Sequence, residues 1–189
     1  MSEPIYVVSG LPRSGTSMMM RMLDAGGLDV VVDNIRTADD DNPRGYYEFE
    51  AVKKVAEDKS WLPGAQGKVV KMISMLLQHL PAEYPYKIIF MERRIEEVLA
   101  SQAKMLGRRN ETGSDVDDAT MAGMFGKHVK QTRAWIEAQP NIDVIYIPYG
   151  DTVKDPAGTA DLLDDFIDQN LDTTAMIEAV DPSLHRNRQ

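Results

Sequence analysis

The sequence contains no cysteine. It can therefore form no disulfide, and it has no thiolate to act as a nucleophile or a metal ligand. It also lacks an apolar run of about 18 residues, the length that a membrane-spanning helix needs. Its start, MSEPIYVVSG, shows neither the basic segment nor the small-residue cleavage site of a secretory signal. These absences predict a cytoplasmic protein with no membrane partner.

Basic charge is also scarce. The chain of 189 residues has 21 Lys and Arg against 30 Asp and Glu, a net charge of −9. Such a protein is not expected to bind nucleic acid, and it repels a polyanionic ligand at long range. An anion site must therefore be a local cluster of arginines. With 43% hydrophobic residues, no internal repeat and no linker, residues 1–189 are predicted to form a single globular domain.

The N-terminal stretch has the layout of a phosphate-binding loop. Residues 5–8 read as a buried strand, and a loop with Gly10, Pro12 and Gly15 follows. A helix is predicted from about residues 14–16 to Ala25. Glycines let the backbone wrap closely around an anion, and the first N–H groups of the helix point at it.

The loop lacks the lysine of a nucleoside triphosphate site. In the pattern G-x-x-x-x-G-K-[ST], Gly10, Gly15 and Ser17 are in place, but Thr16 stands at the lysine position. The available cation is Arg13, whose planar fork of donors suits phosphate or sulfate oxygens.

Strands alternate with helices along the rest of the chain. Further strands are predicted over 28–32, 68–73, 87–91 and 143–147. Helices are predicted over about 46–58, 74–80, 95–106, 119–138, 156–169 and 173–180, with a polar loop over 107–118. This order indicates an α/β fold with a doubly wound, mostly parallel sheet of about five strands. The first helix is rich in methionine, which we expect to be adaptable core.

A second constellation follows the strand over 87–91. Arg93 lies at the carboxyl end of this strand, and Ser101 comes eight residues later on the following helix. Ligands of such sheets bind at the carboxyl ends of the strands, where the loop after the first strand also lies. On spacing alone the pair is a weak signal.

Together, these motifs resemble those of the P-loop sulfotransferase family, and the short chain resembles a bacterial-type small member. Residues 12–17, PRSGTS, resemble the 5′-phosphosulfate-binding loop, in which carbohydrate and tyrosylprotein enzymes carry arginine as here. Arg93 and Ser101 resemble the 3′-phosphate motif, although Arg94 and Ile95 replace its common Asp-Pro. Residues 42–48 and 146–156 resemble further segments of the family.

The resemblance implies a P-loop nucleoside triphosphate hydrolase-like fold and sulfuryl transfer from 3′-phosphoadenosine 5′-phosphosulfate, with 3′,5′-adenosine bisphosphate as product and no metal. Arg13 and the N–H groups of residues 14–17 are expected to hold the 5′-phosphosulfate. The contributing residues are Ser14, Gly15, Thr16 and Ser17. Arg93 and Ser101 are expected to hold the 3′-phosphate. The acceptor would be a hydroxyl or amine of a small molecule or carbohydrate, in a pocket that is small, open or completed by a second subunit of a homo-oligomer.

The catalytic base is the least defined part of the site. The histidine of small-molecule sulfotransferases is absent from the stretch that begins at Lys71, a residue that could itself contact the sulfate or the acceptor. Glu48 is the candidate base, with Glu50 and Asp33 behind it, because a buried carboxyl can have its pKa raised. An exposed glutamate at a helix start is the alternative. The three histidines, His79, His128 and His185, are interpreted as surface groups.

Three other assignments remain open at this stage. The acidic run at 39–41 is interpreted as solvated and not as a metal site. Arg186 and Arg188 could fold back onto the 3′-phosphate or form a frayed tail. The function could also be that of a P-loop kinase acting on a nucleotide or small metabolite, or of a nucleotide-binding protein without turnover.

Overall fold

The computed structural model describes residues 2–33, 35, 46–109 and 116–181. Within them the strands are β1 (Ile5–Gly10), β2 (Val69–Lys71), β3 (Tyr86–Glu92) and β4 (Ile142–Pro148). The α-helices are α1 (Thr16–Ala25), α2 (Ile95–Arg109), α3 (Asp118–Glu137), α4 (Tyr149–Lys154), α5 (Pro156–Ile167) and α6 (Thr173–Ala179). Short 3-10 helices cover Glu50–Lys54, Leu62–Ala65 and Ser74–His79.

The strands form one parallel sheet in the order β2-β1-β3-β4. β1 lies inside the sheet between β2 and β3, and all six of its residues are buried. This explains its continuous apolar run, because a parallel strand covered on both faces has no polar side to alternate with. The predicted α/β fold with a doubly wound parallel sheet is confirmed.

The sheet of the described residues has four strands, where the sequence predicted about five. The segment over 28–32 contributes only a single bridge, in which Val30 pairs with Val69. Two hydrogen bonds accompany that bridge, from Val31 N to Val69 O and from Val69 N to Asp29 O, both 2.8 Å. β2 itself has only three residues, so it offers the segment little edge to pair with.

Two hydrophobic cores cover the two faces of the sheet. On one face, side chains such as Tyr6, Val8 and Ile89 pack with helices α1, α5 and α6. Four methionines of α1 are buried there, as predicted: Met18, Met19, Met20 and Met22. On the other face, residues such as Val7 and Ile88 pack with Ile136 of α3 and with the 3-10 helices.

Several predicted helix bounds need correction. Residues 46–58 form no α-helix but a 3-10 helix over Glu50–Lys54, preceded by Tyr47 in a left-handed conformation with φ 51°. Residues 74–80 are likewise a 3-10 helix, over Ser74–His79. α2 runs on to Arg109, into the predicted loop. None of the described helices is long and apolar enough to cross a membrane.

Helix α4 was not predicted, and it matters for the site. Pro148 ends β4, and the hydroxyl of Thr152 donates to its carbonyl at 3.3 Å, so the chain turns into a helix at once. This turn places Tyr149 directly after β4. The carboxyl ends of the strands consequently bring together the loop after β1, Lys71 of β2, Arg93 after β3 and Tyr149 after β4.

Candidate functional site

The loop between β1 and α1 has the backbone of an anion-binding loop. Gly10 (φ 146°), Arg13 (φ 69°) and Gly15 (φ 101°) all have positive φ values, and Gly15 caps α1 without a side-chain bond. The N–H of Ser14 donates to the carbonyl of Leu11 at 3.2 Å, so the loop itself uses one of the expected anion donors. The following N–H groups open helix α1, where backbone donors have no intrahelical acceptor.

The side chain of Ser14 is an additional donor inside the loop. Ser14 is buried, and its Oγ has no hydrogen-bond partner among the described residues. A Cβ atom on Gly10 would lie 2.5 Å from this oxygen, so glycine is required there for the loop to close over it. A buried hydroxyl without a partner is unfavourable, and an anion bound in the loop would satisfy it. The loop therefore fits the predicted phosphosulfate.

The two predicted motifs meet through a side-chain bond. Nε of Arg13 donates to Oγ of Ser101 at 3.0 Å, although 88 residues separate them. Ser101 is buried on α2. The structure thus brings together a residue predicted to bind the 5′ end of the donor and a residue predicted to bind its 3′-phosphate.

Arg93 is fixed on several sides. Its Nε donates to Oε2 of Glu97 at 2.9 Å, and these side chains are only 9% and 13% exposed. Its NH1 group donates to the backbone carbonyl of Arg13 at 3.0 Å. Its guanidinium lies over the ring of Tyr149, with 4.4 Å between Cζ and the ring centroid. Arg93 therefore connects the end of β3 with the loop, with α2 and with α4.

Tyr149 was not singled out from the sequence, yet it packs directly behind the loop. A Cβ atom on Gly15 would approach Cδ2 of Tyr149 to 2.4 Å. Burial raises the pKa of the Tyr149 phenol, while the Arg93 guanidinium acts in the opposite direction. We call the group formed by Arg13, Gly15, Arg93, Glu97 and Tyr149 the loop corner. Glu97 was missed too, although it is an acidic residue in the first turn of α2, only four positions after Arg93.

A second group, here called the lysine corner, consists of Ser17, Tyr46, Glu48 and Lys71. Nζ of Lys71 donates to the carbonyl of Tyr46 and lies 3.4 Å from Oγ of Ser17. It also lies 4.0 Å from Oε1 of Glu48, and both side chains are mostly buried. Lys71 thus brings an ammonium group to the first turn of α1, next to Thr16, which stands at the position of the Walker lysine.

The candidate bases differ in their surroundings. Glu48 is partly buried and faces both Lys71 and Lys53, the latter at 3.6 Å. Glu50 forms an ion pair with Lys53 on the protein surface. Asp33 accepts the backbone N–H of Glu50 at 2.6 Å, and this bond holds the pKa of its carboxyl below the usual value. Asp33 is therefore a structural anchor for this segment and a poor base.

Of the three histidines, His79 and His128 lie in the described part of the chain, and both are half-buried. Nε2 of His128 lies 2.9 Å from Oγ of Ser74, and partial burial lowers the pKa of its imidazole. It is held between α3 and the 3-10 helix that follows β2. The predictions for His185, Arg186, Arg188 and residues 39–45 lie outside the described residues.

Comparison with solved structures identifies the fold. The chain is similar to the sulfotransferase domain from the Synechococcus PCC 7002 olefin synthase, with a TM-score of 0.54 and 14% identity over 98% of this chain and 87% of that one. It is similar to the sulfotransferase domain from the curacin biosynthetic pathway, with a TM-score of 0.54 and 14% identity over 95% and 78%.

The mouse sulfotransferase SULT7A1, solved in complex with PAP, matches with a TM-score of 0.50 and 16% identity over 94% of this chain and 62% of that one. No protein-family model and no curated sequence matches the chain. The parallel sheet and the glycine loop are those of a P-loop α/β protein. The similarity to the solved structures shows, in addition, that the fold is that of P-loop sulfotransferases.

Proposed function

We propose that this protein is a sulfotransferase that moves a sulfuryl group from 3′-phosphoadenosine 5′-phosphosulfate to a hydroxyl or amine of a small-molecule or carbohydrate acceptor. The bond between Arg13 and Ser101 carries the proposal, because it joins the two motifs at one place. Spacing alone could not supply that juxtaposition. The fold, and the PAP complex of the mouse sulfotransferase with the same fold, add support.

The loop corner offers the donors that the nucleotide needs. The 5′-phosphosulfate would lie in the loop, bound by the first N–H groups of α1, by Oγ of Ser14 and by the guanidinium of Arg13. The 3′-phosphate would lie against Arg93 and Ser101. These groups sit in a protein of net charge −9, so the attraction is local.

The lysine corner offers groups for the transfer itself. The donor supplies an activated sulfuryl group, whose bond from sulfur to the 5′-phosphate oxygen breaks as a bond from sulfur to the acceptor oxygen or nitrogen forms. Lys71, 3.4 Å from Ser17, would neutralise charge on the transferring group. Glu48 would accept the proton of the acceptor, and its contact with Lys71 keeps it next to the reacting atoms.

Calorimetric titration with 3′,5′-adenosine bisphosphate, with and without Mg²⁺ and alongside ATP, tests the nucleotide half of this proposal. We expect binding of the bisphosphate without metal and weaker binding of ATP. Arg13→Ala and Arg93→Ala should each lose roughly 10- to 100-fold in affinity, since each removes a charge-assisted contact. Arg94→Ala is the matched control, because the Arg94 side chain is 63% exposed and pairs only loosely with Glu96 at 3.7 Å.

Magnesium-dependent ATP binding would instead favour a P-loop kinase. An Arg93→Ala protein that binds the bisphosphate as well as wild type would remove the 3′-phosphate assignment. Bisphosphate binding without transfer to any of a panel of hydroxyl and amine acceptors would indicate a nucleotide-binding protein without turnover.

A further inference from the structure

Glu97 stands at the start of a chain of contacts that ends on the loop backbone. Its carboxylate accepts from Nε of Arg93, and NH1 of the same guanidinium donates to the carbonyl of Arg13. The ring of Tyr149 covers one face of that guanidinium. A bond to Nε and a bond to NH1 together fix the rotation of the planar group, so Glu97 determines where the NH1 donor points.

The carbonyl that accepts this hydrogen bond belongs to a residue with a strained backbone conformation. Arg13 has φ 69°, a conformation that a residue with a side chain rarely adopts without support. The same residue donates from its side chain to Ser101. Arg93 therefore holds the backbone of Arg13, while Ser101 holds its side chain, and both anchors depend on the orientation of α2.

We propose that Glu97 is a positioning residue that keeps the loop in its anion-binding conformation, acting through Arg93 on the carbonyl of Arg13. This inference rests on the proposed function, because it assigns a role in binding the same nucleotide. Binding sites gain affinity when their groups are held in place before the ligand arrives. Glu97 would supply that restraint at a distance from the 5′-phosphate.

A purely electrostatic role for Glu97 predicts the opposite result. A carboxylate beside Arg93 repels an incoming 3′-phosphate, so its removal should strengthen binding of a 3′-phosphorylated nucleotide. Positioning predicts weaker binding instead. It also predicts that a nucleotide without a 3′-phosphate is affected, because the restraint acts on the loop that binds the 5′-phosphate.

The test measures the affinity of 3′,5′-adenosine bisphosphate and of adenosine 5′-monophosphate by calorimetry for wild type and three variants. Glu97→Ala removes the acceptor, and we expect it to weaken both ligands by a similar factor, roughly 5- to 100-fold. Glu97→Gln keeps a carbonyl acceptor for Nε and should recover most of the loss. Glu96→Ala is the control. It removes the same charge from the same helix turn, but the Glu96 side chain is 64% exposed.

The outcomes separate the two proposals. A wild-type protein that binds neither nucleotide overturns the proposed function, and this inference with it. The inference alone is overturned if wild type binds both nucleotides and the Glu97→Ala variant binds them as tightly as wild type does. It is also overturned if the variant binds the bisphosphate more tightly than wild type. Loss confined to the bisphosphate would also overturn it, because the loop would then be unaffected. If the alanine variant does not fold, Glu97→Met keeps the length of the side chain and gives the same readout.

Discussion

The loop corner and the lysine corner lie at the same edge of the sheet, but they are held in different ways. In the loop corner, the contacting residues follow β1, β3 and β4 directly or lie on α2, and the sheet and its helices fix them. In the lysine corner, Lys71 ends a strand of only three residues, and Tyr46 and Glu48 lie on a segment without regular structure. The loop corner, which is proposed to bind the donor, is therefore held by the sheet and its helices. The lysine corner, which is proposed to meet the acceptor, depends largely on a short edge strand and an irregular segment.

This difference teaches where variation is tolerated. A change in the loop corner disturbs several elements at once, because a single residue such as Arg93 contacts the loop, α2 and α4. A change in the lysine corner disturbs one ammonium group and one chain segment. We therefore expect substitutions in the loop corner to lower the free energy of unfolding more than substitutions in the lysine corner.

The largest effect is expected for Gly15→Ala. The added Cβ would lie 2.4 Å from the buried ring of Tyr149, and the backbone there has φ 101°. We expect a loss of about 2–4 kcal/mol in the free energy of unfolding, measured by urea denaturation. Gly64→Ala is the control, because nothing lies within 4 Å of its Cβ position. Equal stability of the two variants would contradict the packing described for Tyr149.

Lys71→Met is expected to have a smaller effect on stability. It keeps the length of the side chain but removes the bonds to the Tyr46 carbonyl and Ser17 and the pairing with Glu48. We expect a loss of about 1–2 kcal/mol and faster limited proteolysis within residues 46–58. Lys54→Met, at an exposed position of the same segment, should be near neutral. A Lys71→Met protein with unchanged stability and protease resistance would show that the lysine does not hold this segment.

The sequence allowed the loop corner to be predicted in part and the lysine corner hardly at all. Arg13 and Arg93 could be found because each follows shortly after a strand with a continuous apolar run, residues 5–8 in β1 and 88–91 in β3. Their contact with Ser101 and Tyr149 depends on how α2 and α4 pack against the loop, which no local pattern encodes. The 46–58 segment was misread as a helix because the left-handed Tyr47 is set by tertiary contacts, including its bond to Asp24 at 2.9 Å.

Asp33→Asn tests the anchor of the lysine corner as a function of pH. Because the pKa of Asp33 is lowered in the folded protein, its stabilisation is present above the ordinary value of about 3.8 and is lost as pH falls through the folded pKa. The free energy of unfolding of wild type should exceed that of the variant by about 0.5–1 kcal/mol near pH 7, and the difference should shrink as the pH falls below the ordinary value. A gap that stays constant with pH would mean that the carboxylate charge plays no part.

The smallest effect is expected at His128, which belongs to neither corner and contacts Ser74 and Thr132. Burial lowers the pKa of its imidazole, so the unfolded chain takes up a proton first as the pH falls below the ordinary value of 6.5. Wild-type stability should therefore decrease in the window just below that value and level off beneath the folded pKa. His128→Gln should flatten this part of the curve in thermal unfolding measured from about pH 7.5 to about pH 5. An unchanged curve would contradict the burial of this ring.

The contact between Gly15 and Tyr149 has a consequence for how such a site can diverge. The residue at 15 lies in the loop proposed to bind the anion and has the ring of Tyr149 behind it, so the ring limits its size on the side away from the proposed ligand. Neither position can be exchanged alone for a different volume, and a larger residue at 15 would need a smaller one at 149. In a lineage of related proteins these two positions should therefore change together, and a library that randomises the loop while keeping the tyrosine would recover glycine at this position.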